Sequence, residues 1–271
     1  MRGILPVLHS DTEVLAALES DSAKIIAAPP SYPFLIALKA QQHPVLVVTS
    51  SSRSAEDLAE SLRDLHSRVY EFPAWETLPH ERLSPRSDTV AQRIATLYSL
   101  QLSEATHPVV VAPVRAVIHR FIASLATEPL WTLEIGQELG LTELITHLTE
   151  LAFTRTDLVE KRGEFAVRGG IVDVFLPLAM HPVRIDFFGD EIEEMRYFEV
   201  ADQRTSEAVV GKLAILPCRE LLLTESIRER AEKIKSQYPS ALEILDKVAQ
   251  GTIVDGMESL IPLLTDDFET I

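Results

Sequence analysis

The chain has 271 residues, of which 46% are hydrophobic and 24% charged. That is enough for a packed core and long for one domain, so two domains are expected. A formal net charge of −16 gives a surface that repels phosphate, which argues against generic nucleic-acid binding by this chain alone. The single cysteine, Cys218, excludes an internal disulfide framework and a paired-cysteine zinc site. No apolar run approaches the about 18–20 residues of a membrane span. The start lacks a signal-peptide hydrophobic stretch, because Asp11 and Glu13 interrupt it. The expectation is a cytoplasmic protein with no membrane partner.

In chain order, residues 12–20 predict a short helix with Val14, Leu15 and Leu18 as its apolar positions. Lys24 to Ala28 is expected as a buried strand, ended by Pro29, Pro30 and Pro33. Phe34 to Gln41 reads as a helix and Pro44 to Thr49 as a strand. Ser50 to Ser54 supplies capping residues for a helix that buries Leu58, Leu62 and Leu65. Val69 to Phe72 is a third strand, and Phe72 to Asp88 a proline-punctuated loop. Thr89 to Leu102 reads as a helix, Pro108 to Ala112 as a strand, and Pro113 to Leu125 as another helix. Alternation of this kind implies a parallel sheet with helices on both faces.

Near Glu128 the pattern changes. A strand (Leu130 to Ile135) and a helix (Leu141 to Leu151) are followed by residues 153–217, which read mostly as strands. Val183 to Phe188 alternates, placing Val183, Ile185 and Phe187 on a core face and Arg184, Asp186 and Phe188 on the other. Gly189-Asp190 is a hairpin turn, with Ile192 to Phe198 returning antiparallel. From Thr224 the pattern is helical again.

The loop after the first expected strand reads Ala27-Ala28-Pro29-Pro30-Ser31-Tyr32-Pro33. A phosphate-binding loop needs glycines and a lysine, and here there are neither. Three prolines also remove backbone donors. The segment Phe72 to Pro85 is either a surface loop that meets a partner or a packed loop whose Trp75 plugs the core. His80-Glu81 has no second histidine to complete a zinc motif. In Arg162 to Phe175, Gly169-Gly170 allows a bulge or a close backbone approach, or simply a tight bend between strands.

The outward face of residues 183–188 carries a cation, an anion and a large aromatic. That is the composition of an interface hot spot, or of an ordinary cross-strand ion pair beside a partly buried phenylalanine. Asp173, Asp186, Asp190, Glu191, Glu193 and Glu194 form an acid-rich stretch. A metal-dependent hydrolase using Asp173, Asp186 and Glu191 is one alternative class, and a DNA-binding module is another. No Ser–His–Asp arrangement is recognisable, and Cys218 has no evident base.

Together these segments resemble a known family. The stretch Trp75-Glu76-Thr77-Leu78-Pro79 comes first, then Ser84-Pro85 and the helix through Arg93 to Leu97-Tyr98. Gly163-Glu164-Phe165-Ala166-Val167-Arg168-Gly169, Asp173-Val174-Phe175 and Arg184-Ile185-Asp186-Phe187-Phe188 follow. Asp190-Glu191-Ile192 and Asp202-Gln203-Arg204-Thr205 complete the set. In order and spacing they resemble the N-terminal region of bacterial transcription-repair coupling factors (Mfd). That region is similar to the first two domains of the excision-repair protein UvrB. Two departures from UvrB stand out: the proline-rich loop at 29–33 replaces the P-loop, and the DNA-clamping tyrosine hairpin is shortened to Trp75–Asp88.

The resemblance implies an α/β plus α+β fold. A degenerate helicase-like parallel-sheet domain without a P-loop would occupy residues 1–128, with a small strand-rich UvrA-binding domain inserted at 129–217. Residues 218–271 would return to the first domain, incomplete at the C-terminus, so the chain reads as a fragment. The implied function is recruitment of UvrA, and thus of nucleotide excision repair, to RNA polymerase stalled at a DNA lesion. The fragment itself is expected to be neither an enzyme nor a cofactor binder. ATP and Mg²⁺ are expected only in the motor domains of the full-length family protein, an ATP-dependent DNA translocase. RNA polymerase and DNA would be met through domains absent here, and the C-terminal domains would contact this region intramolecularly. By position, the family's UvrA-contacting residues fall on Arg168, Arg184 and Phe188.

Overall fold

The chain folds into two compact units, one with its buried apolar residues around a three-stranded sheet and the other with several apolar clusters of its own. The computed structural model describes residues 4–78, 81–102 and 104–271. Pro79 and His80, of the loop singled out above, lie outside the described residues.

The first unit comprises Met1–Ala74, Thr96–Arg120 and Thr270–Ile271. It begins with helices α1 (Ile4–His9) and α2 (Thr12–Glu19). The carboxylate of Asp11 caps α2 by accepting from the amides of Glu13 and Val14. Helix α3 (Tyr32–Lys39), strand β1 (Val45–Thr49), helix α4 (Ser52–Arg63) and strand β2 (Val69–Glu71) follow. Helix α5 (Ser87–Gln101) counts with this unit from Thr96 onward. Strand β3 (Val109–Pro113) and the single turn α6 (Val114–Val117) complete it. The sheet is parallel, in the order β1-β3-β2, with Val45 and Val69 both opposite Val109. Ala37, Ala40, Ala55 and Ala59 pack against Val109 and Val111. These small side chains let α3 and α4 approach the sheet closely.

Two expectations fail here. Residues 24–28 form no strand, and Ile26 is 87% exposed. Pro29 and Pro30 open a short 3₁₀ turn (Pro29–Ser31) directly after them, and the stretch finds no ladder to join. The helix expected over Pro113 to Leu125 is broken into α6, strand β4 (Phe121–Ile122) and α7 (Ser124–Thr127). Tertiary pairing overrides the local pattern, because β4 pairs with strand β13 (Phe268–Glu269).

The second unit comprises Trp75–Ala95 and Phe121–Glu269. After α7 come β5 (Trp131–Glu134), α8 (Leu141–Glu150), β6 (Thr154–Arg155), β7 (Glu164–Arg168) and β8 (Ile171–Val174). Next are β9 (Val183–Phe188), β10 (Glu191–Phe198), β11 (Thr205–Val209) and β12 (Lys212–Ile215). The six-stranded sheet runs β11-β10-β9-β8-β7-β6 and is antiparallel except for β6 and β7. Gly169-Gly170 makes the two-residue turn from β7 to β8, with Gly169 at φ +62°. A side chain at Gly170 would sit 3.3 Å from the Phe187 carbonyl, so the expected close backbone approach is present. Gly189-Asp190 turns β9 into β10, as read from the sequence.

One face of this sheet buries Phe165, Val172, Val174, Val183, Ile185, Ile192 and Met195. Leu144 and Leu148 of α8, with Leu133 and Leu213 of the β5–β12 pair, pack against them. A helical cluster follows: α9 (Glu225–Ile234), α10 (Leu242–Ala249) and α11 (Ile261–Leu264). Trp75 packs there among Leu221, Ile227, Leu245 and Met257, so it does plug a core. Its indole Nε1 donates to Glu220 Oε1 at 2.9 Å, and the same oxygen accepts from Arg93 Nε at 2.5 Å.

Candidate partner-binding face

The opposite face of the six-stranded sheet carries the residues that the sequence singles out. Pairing aligns Arg168 with Ile171, Ile171 with Asp186, and Asp186 with Glu194. The neighbouring row aligns Ala166, Asp173, Arg184 and Arg196, and on the other side Phe188 stands opposite Glu191. Directly paired residues point to the same side, and so do residues two apart on one strand. Arg168, Arg184 and Phe188 therefore share one face, with Asp186 between them.

Their environments differ. Phe188 is 77% exposed, a large apolar ring at the end of β9. Arg168 is exposed, and its Nη2 donates to the Asp157 carbonyl at 3.1 Å. Arg184 is largely enclosed, its side chain 19% exposed. Its Nε and Nη2 donate to the two oxygens of Asp173 at 2.7 and 2.9 Å, a parallel two-point pair. The guanidinium carbon lies 5.0 Å from the ring centre of Phe198. Beneath this edge of the face sits a small second core of Val159, Ala166, Phe175 and Phe198. Arg196 closes a separate pair with Glu194 at 2.5 Å.

Burial raises the Asp186 carboxyl above its ordinary value. Arg184 opposes that rise, while Glu194, Asp173 and Glu193 add to it. Asp173 is buried and committed to Arg184. Among the described residues no group of three or more His, Cys, Asp or Glu side chains is placed to hold a metal ion. The carboxylate set Asp173, Asp186 and Glu191 is thus not gathered as a hydrolase would need.

The alternation of β9 placed Phe188 and Arg184 on the outer face correctly. Sequence reasoning missed the role of Asp173 as the partner of Arg184, and the stacking on Phe198. The sequence alone carries no signal for the first. Counting back through the intervening residues pairs Asp173 with Arg184 only once the register of β8 on β9 is known.

Comparison with known proteins gives this face its context. Residues 131–221 match a family model described as the UvrB interaction domain, and they contain the whole six-stranded sheet. The protein thus carries an interaction domain of the UvrB type. Over 264 residues (89% of its length, 21% of the relative's) it is 46% identical to the transcription-repair-coupling factor of Mycobacterium tuberculosis. The factor of Myxococcus xanthus is 33% identical over 83% of this chain and 20% of its own length. That of Escherichia coli is 31% identical over 84% and 20%. The chain belongs with the transcription-repair-coupling factors along most of its own length, and spans about a fifth of theirs.

Proposed function

We propose that this chain is a recruitment module that binds UvrA through the outer face of its six-stranded sheet, bringing nucleotide excision repair to RNA polymerase stalled at a lesion. The observation that carries the reading is Phe188. A ring 77% exposed at the end of β9, on the same face as two arginines, supports a partner-facing role rather than one in its own core. Arg168 and Arg184 supply planar donors suited to carboxylates, and Phe188 fills an apolar pocket at the centre. The first unit, with its parallel sheet and its proline-rich loop where a phosphate loop would stand, is read as a degenerate helicase-like domain. It supplies no ATPase chemistry. Contacts with polymerase and DNA, and the translocase activity, are assigned to regions of the relatives that this chain does not span.

Calorimetric titration with purified UvrA tests the proposal. The wild-type chain is expected to bind at micromolar concentration or tighter. Phe188→Ala and Arg168→Ala, both surface changes that leave the fold intact, should each weaken binding. Loss of an aromatic anchor costs about 2 kcal/mol, roughly thirtyfold in affinity. Absence of binding by the folded wild type would refute the recruitment reading, and unchanged affinity in both variants would move the site elsewhere.

A further inference from the structure

We infer that Arg184 is a pre-set anchor, fixed before any partner arrives by Asp173, by the ring of Phe198 and by the backbone carbonyl of Gln203, so that Asp173 is a positioning residue for partner recognition. The inference rests on the recruitment reading of this face.

Three contacts from three different elements converge on one guanidinium. Asp173, on β8, takes Nε and Nη2 at 2.7 and 2.9 Å, and its own side chain is only 2% exposed. Phe198, on β10, lies under the guanidinium plane at 5.0 Å. Gln203 brings its carbonyl to 3.4 Å from Nη1. The loop that presents this carbonyl is built for the purpose. Gln203 adopts φ +62°, a left-handed conformation uncommon for a side-chain-bearing residue. Its amide donates to the Glu199 carbonyl at 2.8 Å, and its side-chain Nε2 donates to the Val200 carbonyl at 2.9 Å. Arg204 accepts from the Glu199 amide at 3.0 Å. The segment Asp202-Gln203-Arg204-Thr205, conspicuous in the sequence and without a role in the exposed face, thereby acquires one.

A guanidinium has five N–H donors, and these contacts engage three of them, leaving donor capacity for a partner carboxylate or carbonyl at a side chain 19% exposed. Holding the group in advance removes the entropy that a free arginine would lose on docking. That saving is worth up to about tenfold in affinity. Asp173 also neutralises the charge of Arg184, so two roles for Asp173 predict opposite signs. If it merely masks charge, replacing it with asparagine unmasks Arg184 and strengthens binding to an acidic partner. If it positions Arg184, the same change weakens binding.

The test compares the wild-type chain with Asp173→Asn, Arg184→Ala and the double variant in UvrA titrations, with thermal melts confirming that each is folded. Asp173→Asn should weaken binding about tenfold, and the double variant should bind no more weakly than Arg184→Ala alone. Unchanged or tighter binding by folded Asp173→Asn, or additive losses in the double variant, would overturn the positioning role. Wild-type chain that fails to bind UvrA would remove the recruitment reading and this inference with it. A second readout needs no Asp173 variant. The Nε–H resonance of Arg184, assigned by its loss in Arg184→Ala, should be resolved and protected from solvent exchange in the free chain. Exchange as fast as that of exposed Arg168 would show that nothing is pre-set.

Discussion

At the residue scale, Asp186 stands at the centre of the outer face and titrates abnormally. Burial is the main cause of its raised pKa, and the raised value makes its ionised form unfavourable in the folded state. The stability it contributes is therefore full below the ordinary carboxylate value of 3.8 and is lost as pH rises through the higher folded value. Asp186→Asn removes that loss. Its melting temperature should match the wild type at strongly acidic pH, exceed it as pH rises past the ordinary carboxylate range, and keep a constant lead above the folded value. A gap of constant size across the series would show that the effect is not ionisation. Cys218 makes the complementary case. Buried, its thiol is pushed up to about 12, so alkylation at mildly alkaline pH should require unfolding. Prompt labelling of the native chain would contradict that burial. Both side chains illustrate what a linear reading can reach. Period two separates the faces of β9, which exposes Phe188 and identifies Arg184. The partner of Arg184 is eleven residues away on another strand, so only the hairpin register reveals it. The enclosure of Cys218, by contrast, follows from packing that no neighbour in the sequence announces.

At the scale of elements, the loop beginning at Trp75 is tied to α5 and to the segment after β12 by one carboxylate. Glu220 Oε1 receives both Trp75 Nε1 and Arg93 Nε, and both charged side chains are about 1% exposed. Removing one partner of a buried ion pair leaves the other charge poorly compensated and costs about 3–5 kcal/mol. Glu220→Ala should therefore destabilise the chain by about that much in urea denaturation. Trp75→Phe keeps an aromatic ring in the cluster and should cost only about 1 kcal/mol, the worth of a typical hydrogen bond. If Glu220→Ala unfolded at the wild-type urea concentration, the pin would have no energetic weight. The composition of this loop marked it as special but could not say whether Trp75 faced inward, because its cluster is assembled from residues 122 to 264. The same limit explains the strand expected at 24–28. Its local pattern is apolar and extended, yet a strand exists only where a neighbour completes its hydrogen bonds. The helices α2, α4 and α8 are legible because their apolar spacing is local, joined at α2 and α4 by a local side-chain cap.

At the scale of the whole molecule, charge decides between partners. The chain carries a net −16, and on the outer face Arg184 and Arg196 are already paired with Asp173 and Glu194. What the face offers is a protruding ring, one exposed arginine and charge-compensated pairs, among them Arg184 with N–H donors to spare. Such a surface suits a mixed apolar and polar protein patch. A nucleic-acid site needs several uncompensated cations, since each neutralised phosphate adds to the salt dependence of binding. Two salt series should therefore diverge. UvrA binding should fall by less than about tenfold between 50 and 500 mM salt, because hydrophobic burial at Phe188 is not screened. Duplex or single-stranded DNA should not be retained by the chain even at the low end of the series. Retention at 50 mM that collapses steeply by 200 mM would place an unrecognised basic patch on the molecule and favour a DNA-binding reading. Steep salt sensitivity of UvrA binding without DNA retention would instead transfer the main burden of recognition from Phe188 to Arg168.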